Sequence, residues 1–324
     1  MKAVVLKRPY GGAEALELTE LPTPKPKADE VLVRVHAASV NDWDWGLLRE
    51  SPPLIDRMLN RLITPHVRIL GCDIAGRVEI IGDNVTTLQP GDDVYGDLCE
   101  HGFGAFAEYV CVPATILARK PASMSFEQAA AIPQAGMLAV QGLLDVGQIR
   151  SGQKLLLNGA GGGVGTFALQ LAKLHDVEVT AIDKPGKLDM LRTLGADHVI
   201  DYNKENFVKG ARRYDLILDV KTNHSPFAYT RALASGGTYV TVGGSLPRLM
   251  QMAILGPVIS RTYGKTERIV ALKPNKDLPY LNELFEAGNL LPVIEGPYEL
   301  GELREAFRLF ARGDHKGKIV VTVV

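Results

Sequence analysis

The stretch that decides the fold is LLLNGAGGGVGT, residues Leu155–Thr166. Three leucines typical of a buried strand lead into a glycine-rich turn, and an apolar helical segment follows. The spacing Ala160-x-Gly162-x-x-Gly165 is a variant of the GxGxxG pattern with alanine first. In that pattern the second glycine lets the backbone approach a pyrophosphate, and the last lets the helix pack on the strand. The stretch therefore predicts a dinucleotide site in which a helix N-terminus binds the phosphates.

The predicted cofactor contacts extend past the turn. Asp183 follows Gly165 by 18 residues, and an acid there binds the ribose hydroxyls of NAD, unless it merely caps the next helix. Lys184 and Lys187 follow at once and favour the 2′-phosphate of NADP. The residues alone leave the choice between NAD and NADP open. The cofactor set predicted from this region and from the end of a later strand is Ala160, Gly162, Gly163, Val164, Gly165, Asp183, Lys184, Lys187, Gly243 and Gly244.

The chain has 324 residues, which favours two domains over one core. Residues before about 122 form short strands separated by proline and glycine turns. After that point strands alternate with helices of about 10 residues, which predicts a parallel, doubly wound α/β sheet. The strands expected in this sheet are Lys154–Asn158, Val177–Ile182, Val199–Tyr202, Tyr214–Val220 and Thr238–Val242.

Charge and cysteine content limit the function classes. Lys plus Arg is 36 and Asp plus Glu is 37, so no broad attraction to nucleic acid or to an anionic membrane is expected. The three cysteines, Cys72, Cys99 and Cys111, contain no CxxC pair, and we expect free thiols in a reducing compartment. No stretch approaches the ~20 apolar residues of a membrane span, and Met1–Leu6 reads as a strand rather than a signal peptide. A cytoplasmic protein is expected.

Two apolar segments have alternative interpretations. Leu54–Leu62 has apolar residues at helical spacing, and Leu246–Ile259 is rich in leucine, methionine and isoleucine. Either segment packs against its own domain, or it forms a hydrophobic surface for an apolar substrate.

The chain resembles the zinc-free medium-chain dehydrogenases/reductases, close to the zeta-crystallin-like quinone oxidoreductases. The resemblance rests on Gly71–Gly76, Gly91–Val94, Asn158–Lys173, Leu194–Tyr202 and Gly317–Val321. It implies a GroES-like β-barrel catalytic domain built from residues 1–121 and 266–324, and a Rossmann domain of residues 122–265 inserted between them. It also implies an active site in the cleft between the domains, and a homodimer.

The resemblance adds Tyr202, Asn223 and Lys318 to the expected cofactor contacts. It implies that residues Asn41, Asp44 and Trp45 belong to the catalytic site. The Asn41 amide would donate to the substrate oxygen or position the nicotinamide, and Asp44 would orient its neighbours or fix a helix start. Trp45 would stack on a flat substrate or pack in the core.

Zinc-dependent relatives have their metal ligands at the positions of Asn41, Cys72 and Gln134. Two amides and one thiolate bind zinc poorly, and a Cys99/His101 pair is too small for a site, so we expect no metal. Without a Lewis acid, the expected reaction is hydride transfer from NADPH, or alternatively NADH, to small hydrophobic quinones or α,β-unsaturated carbonyl compounds. These acceptors delocalise the negative charge that they acquire with the hydride. The alternatives are a zinc-dependent alcohol or aldehyde dehydrogenase and a cofactor-binding protein with little turnover.

Overall fold

The computed structural model describes residues 1–50, 54, 58, 68–244 and 246–323. Its strands are β1 (Lys2–Leu6), β2 (Leu16–Glu20), β3 (Glu30–Ser39), β4 (Asp73–Ile81), β5 (Asp93–Asp97), β6 (Tyr109–Pro113), β7 (Ala118–Arg119), β8 (Lys154–Asn158), β9 (Glu178–Asp183), β10 (His198–Asp201), β11 (Tyr214–Asp219), β12 (Leu233–Thr241), β13 (Thr266–Ile269), β14 (Ile294–Glu299) and β15 (Lys318–Thr322). The α-helices are α1 (Asp42–Leu48), α2 (Phe126–Ala131), α3 (Pro133–Val140), α4 (Gly163–Lys173), α5 (Leu188–Thr193), α6 (Pro226–Ala232), α7 (Leu246–Tyr263), α8 (Leu278–Glu286) and α9 (Leu303–Arg312). A π-helical segment, Gln141–Val146, continues α3.

The chain forms two compact units. Unit 1 contains Met1–Gln134 and Pro274–Val324, and unit 2 contains Ala135–Lys273. Unit 2 is continuous in sequence, and unit 1 is built from the two segments that flank it. Helix α2 packs against β3, β4 and β15 of unit 1, and β13 pairs with β12 as the last strand of the unit 2 sheet. These contacts assign α2 to unit 1 and β13 to unit 2.

Unit 1 is built on a seven-stranded sheet in which β14, β15, β3, β4, β5 and β7 are neighbours and β6 also pairs with β3. The pairing places Ser39 opposite Asp73 and Asp73 opposite Asp97. On the other side of β3, the C-terminal strand β15 pairs antiparallel, with Val320 opposite Ser39. Residues far apart in sequence therefore meet where β3, β4, β5 and β15 lie side by side.

Unit 2 contains a six-stranded sheet in the order β10-β9-β8-β11-β12-β13. Every pairing in it is parallel. This confirms the doubly wound sheet predicted from the alternation of strands and helices. Leu155–Leu157 of the central strand β8 are fully buried, as the run of leucines indicated. The five predicted strands are confirmed with small shifts at their ends, except that β12 begins at Leu233, earlier than expected.

Of the predicted helix Leu54–Leu62, only Leu54 and Met58 are among the described residues, and both side chains are exposed. The other apolar segment lies within α7, where Met252 and Ile259 are buried whereas Met250 and Ile254 are exposed. Across the described ranges, no helix combines the length and apolar character that a membrane crossing requires.

Candidate functional site

The glycine-rich turn of unit 2 leaves the carboxyl end of β8 and enters α4. Gly159 has a positive φ of 85°, which glycine adopts without strain. A Cβ atom at Gly165 would lie 2.4 Å from the Gly159 carbonyl oxygen, so the close packing expected of Gly165 requires glycine. A Cβ atom at Gly162 would meet only this same oxygen, at 3.9 Å. The space beside Gly162 is therefore open to a ligand, and the first N–H groups of α4 have no acceptor within the helix.

Asp183, at the end of β9, is buried and bound to the turn. Its Oδ2 accepts the Gly161 N–H at 2.7 Å, and its Oδ1 accepts the Lys184 N–H at 2.8 Å. The Lys187 ammonium lies 3.6 Å from Oδ1 and is equally buried. Burial lowers the pKa of Lys187, while Asp183 acts in the opposite direction. The charge of Asp183 is thus balanced inside the protein.

The remaining predicted cofactor residues of unit 2 lie at the same edge of the sheet. Asp201 at the end of β10 pairs with Asp183 at the end of β9. Tyr202 and Lys184, the next residues of the two chain segments, therefore lie at the same edge of the sheet. Asn223 follows β11, and Gly243 and Gly244 follow β12. Because the sheet is parallel, the segments after all of its strands meet at the carboxyl edge, where ligands of such sheets bind. The structure therefore brings these residues together around the glycine-rich turn.

A buried network behind the turn was missed by sequence reasoning. Asp219 is fully buried and accepts hydrogen bonds from Asn158 Nδ2, from the Thr222 N–H and, through Oδ2, from the Tyr239 hydroxyl. Burial raises the pKa of Tyr239, so its hydroxyl remains a donor. Polar residues at the ends of apolar strands were the available signal, since Asn158 ends β8 and Asp219 ends β11. The network holds the two loops that flank the cofactor edge.

A second polar cluster lies in unit 1 around Asp73, whose side chain is fully buried. Its Oδ2 accepts from Ser39 Oγ at 3.0 Å, from Asn41 Nδ2 at 3.0 Å and from Lys318 Nζ at 3.1 Å. Its Oδ1 accepts the backbone N–H of Gln134 at 3.2 Å. We call Ser39, Asn41, Asp73 and Lys318 the Asp73 cluster.

The structure places Lys318 in the Asp73 cluster. Its ammonium donates to Asn41 Oδ1 at 2.5 Å and to the Val40 carbonyl at 3.2 Å in addition to Asp73, and its side chain is 5% exposed. These three acceptors occupy the donors of an ammonium group. Lys318 is therefore fully engaged in the Asp73 cluster, and its contact with a cofactor phosphate stays a prediction.

Asp44 has the helix-capping role that was one of its two interpretations. Its side chain is completely buried. Oδ2 accepts the Asn41 N–H at 2.9 Å, which closes the capping box of α1, and Oδ1 accepts the Gly71 N–H at 2.7 Å. Burial raises the pKa of Asp44 to about 7, although the two N–H donors oppose the shift. Asp44 thus orients the chain at Asn41 and Gly71.

Trp45 packs on the core of unit 1, and its stacking on a substrate stays a prediction. It is half-buried against the unit 1 core, and its ring centroid lies 6.4 Å from that of Phe310. Trp43, by contrast, is 50% exposed.

The cysteines differ from the expectation of three free thiols. Cys72 and Cys99 form a disulfide with Cα atoms 4.9 Å apart, and Cys111 is free. The cause is the β4–β5 register: Asp73 lies opposite Asp97, so the residues flanking them come together. Beside the pair, burial raises the pKa of Asp97 to about 7.

The three positions that hold zinc in metal-dependent relatives do not fit that ion here. Asn41 Oδ1 already accepts the Lys318 ammonium, a cation that competes for the same lone pairs. Gln134 directs its amide Nε2 to Cys99 Sγ at 3.3 Å. Of the three, only Cys72 offers a donor that zinc prefers, so these positions do not reproduce the zinc ligands of those relatives.

Comparisons with known proteins agree with this architecture. Residues 27–122 match the alcohol dehydrogenase GroES-like domain and residues 194–321 match the zinc-binding dehydrogenase family. The chain is 32% identical to 2-methylene-furan-3-one reductase of Solanum lycopersicum, over 96% of this chain and 76% of the relative. It is 31% identical to a chloroplastic NADPH-dependent alkenal/one oxidoreductase of Arabidopsis thaliana, over 96% and 77%. The structure of the quinone oxidoreductase from Coxiella burnetii is similar with a TM-score of 0.87 at 27% identity, over 100% of this chain and 99% of that one.

Proposed function

This chain belongs to the medium-chain dehydrogenase/reductase superfamily, in its quinone-oxidoreductase-like family, and on that premise we propose that it is an NAD(P)H-dependent reductase of quinones or α,β-unsaturated carbonyl compounds. The observation that carries the proposal is the turn at the start of α4, with close packing at Gly165 and open space at Gly162. Relatives named as alkenal/one and methylene-furanone reductases support the substrate class.

The chain's own residues provide binding and orientation. The turn and the N-terminus of α4 bind the pyrophosphate through N–H groups and the helix dipole. When bound, the nicotinamide supplies the hydride. The substrate oxygen of a quinone or enone acquires a delocalised charge, which hydrogen bonds stabilise without a metal ion, and water supplies the final proton. Because the polar atoms of Asn41 and Asp44 bind Asp73, Lys318, Gly71 and one another, we assign both residues a positioning role.

NADPH is our proposed cofactor in preference to NADH. The negative charge of Asp183, which would repel a 2′-phosphate, is balanced by Lys187. Lys184 follows Asp183 directly, and the Lys221 side chain lies against Gly159 of the turn. The charges of Lys184 and Lys221 each act to lower the pKa of Lys187, so the three lysines form a cationic group at the cofactor edge. A phosphate ester is the ligand that such a group stabilises.

Steady-state kinetics test the cofactor preference. We expect a higher kcat/KM for NADPH than for NADH. Lys184→Gln should reduce the ratio of the NADPH value to the NADH value about tenfold, which is equivalent to the loss of one charge-assisted hydrogen bond. The exposed Lys209, changed to Gln, is the matched control and should leave the ratio unchanged. A wild-type preference for NADH would contradict the assignment.

The reaction itself is tested with 1,4-benzoquinone and a simple enone after the protein has been treated with a chelator. We expect oxidation of the dinucleotide with at least one of the two. Activity restored only by zinc, with an alcohol or aldehyde substrate, would favour the metal-dependent dehydrogenase instead. Dinucleotide binding without turnover on either acceptor would favour a cofactor-binding protein.

A homodimer is our proposal for the assembly. Strand β13 forms an edge of the unit 2 sheet, and an uncovered edge strand is a template for pairing with another chain. Helix α7 packs on β13 and exposes Met250, Ile254 and Val258. Light scattering after size-exclusion chromatography should give twice the 35.1 kDa chain mass, and a monomer would contradict the proposal. A cytoplasmic location stays a prediction, because one relative is named as chloroplastic.

A further inference from the structure

Three side chains that the proposed reaction does not use converge at the end of β5 in unit 1. They are Cys72, Asp97 and Cys99, and each offers one ligand atom for a metal ion. The three atoms lie within 4.8 Å of one another. Zinc bonds to oxygen and sulfur are about 2.0–2.3 Å long, so ligand atoms this close can reach one ion once the two bonded sulfur atoms have separated on reduction.

The two sulfur atoms provide the donors that a thiophilic cation prefers. They are bonded to each other in this structure, and reduction of that bond leaves two thiols side by side. Cys72 is fully buried and Cys99 is half-buried. A cation held between them would be shielded from competing water.

Asp97 supplies an independent indication of a missing ligand. Its Oδ1 accepts the Cys99 N–H at 2.8 Å, which fixes the carboxylate beside the sulfur pair. Its Oδ2 is buried and has no hydrogen-bond partner among the described residues, and the side chain as a whole is 1% exposed. A buried carboxylate oxygen without a donor is costly. A cation at the sulfur pair removes that cost.

The surroundings indicate a closed site. Gln134 is buried, and its amide nitrogen lies 3.3 Å from Cys99 Sγ, so rotation of the amide or a water molecule supplies a fourth ligand. Closed four-ligand sites are structural, whereas catalytic zinc keeps an open position. Cys72 and Gln134 are also positions of catalytic zinc in metal-dependent relatives, but Asp97 and Cys99 are not, so the ligand set proposed here differs from theirs.

We propose that Cys72, Cys99 and Asp97 form a redox-gated site for a thiophilic divalent cation, Zn²⁺ or its analogue Co²⁺. The reduced protein holds the ion between two thiolates and Asp97 Oδ2, and the disulfide form releases it. Hydrogen peroxide drives the release: it takes two electrons from the sulfur pair, one S–S bond forms, and with two protons the peroxide becomes two water molecules. A dithiol reductant reverses the reaction and becomes a disulfide itself, so that the protein thiols can bind the cation and lose their protons.

Cobalt titration of the full chain tests this proposal. After reduction and anaerobic desalting, the wild-type protein should bind one Co²⁺ per chain, with thiolate-to-cobalt charge-transfer absorption that Zn²⁺ abolishes. Hydrogen peroxide should release the ion and lower the free thiols from 3 to one, since the chain has 3 cysteines and Cys111 is unpaired. Reduced wild-type protein that binds neither ion, or oxidised protein that keeps it, would overturn the proposal.

Three variants identify the ligands. Cys99→Ser should abolish the charge-transfer band, and Cys111→Ser, the control, should keep it. Asp97→Asn retains Oδ1 for the Cys99 N–H but lacks the second carboxylate oxygen, so it should weaken Co²⁺ binding at least about tenfold. Thermal melting checks that each variant is folded. Unchanged Co²⁺ affinity in folded Cys99→Ser or Asp97→Asn protein contradicts the assignment. Where a variant does not fold, the oxidation experiment on the wild-type protein tests the proposal instead.

Discussion

Removal of the Lys318 ammonium is the most direct test of the Asp73 cluster. In Lys318→Met the apolar stem remains, but Asp73 loses the cation that lies 3.1 Å from its Oδ2. Asp73 is 0% exposed and Lys318 5%, so water cannot replace the missing partner. The variant leaves a buried carboxylate that retains only its neutral donors, Ser39, Asn41 and the Gln134 N–H.

The chain offers a control pair with the same separation and different burial. Lys27 Nζ also lies 3.1 Å from a carboxylate oxygen, that of Glu30, but the Lys27 side chain is 85% exposed. Breaking a buried pair by removing one partner costs about 3–5 kcal/mol, whereas an exposed pair contributes about 0–1 kcal/mol. Lys27→Met should therefore have little effect, and Lys318→Met should remove a large part of a typical stability of about 5–15 kcal/mol.

Urea unfolding at pH 7, followed by far-ultraviolet circular dichroism, measures both free energies of unfolding. Asp73→Asn in the Lys318→Met background removes the unpaired charge, and the double variant should lose less than the sum of the two single changes by about 0.5–3 kcal/mol. Equal losses for Lys318→Met and Lys27→Met, or additive single changes, would refute the reasoning that burial gives this pair its importance.

Three further predictions follow from the same geometry. Gly165→Ala should destabilise the fold by about 1–3 kcal/mol through overpacking and should also weaken dinucleotide binding. Gly162→Ala, with open space at its Cβ, should weaken binding with little change in melting temperature. Titration calorimetry measures binding and thermal melting measures stability, and equal losses of stability in the two variants would contradict the prediction. The pKa of Asp44 is raised from 3.8 to about 7 in the folded state. Between about pH 4 and pH 7 the folded chain therefore keeps a proton that the unfolded chain has lost, and the free energy of unfolding falls as the pH rises. This fall should be shallower in Asp44→Asn, and an unchanged slope would contradict the prediction. Burial raises the pKa of Cys111 to about 11, so iodoacetamide at pH 8 should modify it far more slowly in native than in unfolded protein, as mass spectrometry of the labelled peptide would show.

The parallel sheet and its glycine-rich turn could be predicted because their signals are local. The run Leu155–Leu157, the spacing of Gly162 and Gly165, and the alternation of strands and helices each depend on neighbouring residues. Handedness and connection rules then restrict how such units assemble. The sequence also singles out Asp183 but not its partners, because the bond to Gly161 depends on the conformation of the turn.

Unit 1 was less predictable because its polar contacts depend on pairing between distant strands. Lys318 and Asn41 are 277 residues apart in sequence and meet only because β15 pairs with β3. The disulfide likewise depends on the register that places Asp73 opposite Asp97. Asp44 shows a different difficulty, since the N-x-x-D pattern fits both a capping box and a catalytic pair. Only its burial and its two N–H donors favour the cap.

The pairing of β15 with β3 also sets an order of events during protein synthesis. Unit 2 is one continuous segment, residues 135–273, whereas unit 1 needs residues 274–324 to complete its sheet. A nascent chain that ends before Lys318 has an uncovered edge on β3 and an Asp73 carboxylate without its ammonium. Domains fold as units as the ribosome releases them, so the inserted unit can reach its native state while the older N-terminal segment is still incomplete. The N-terminal segment of unit 1, although translated before unit 2, is then among the last parts to become native, and chaperones that bind unpaired strands have their longest opportunity there.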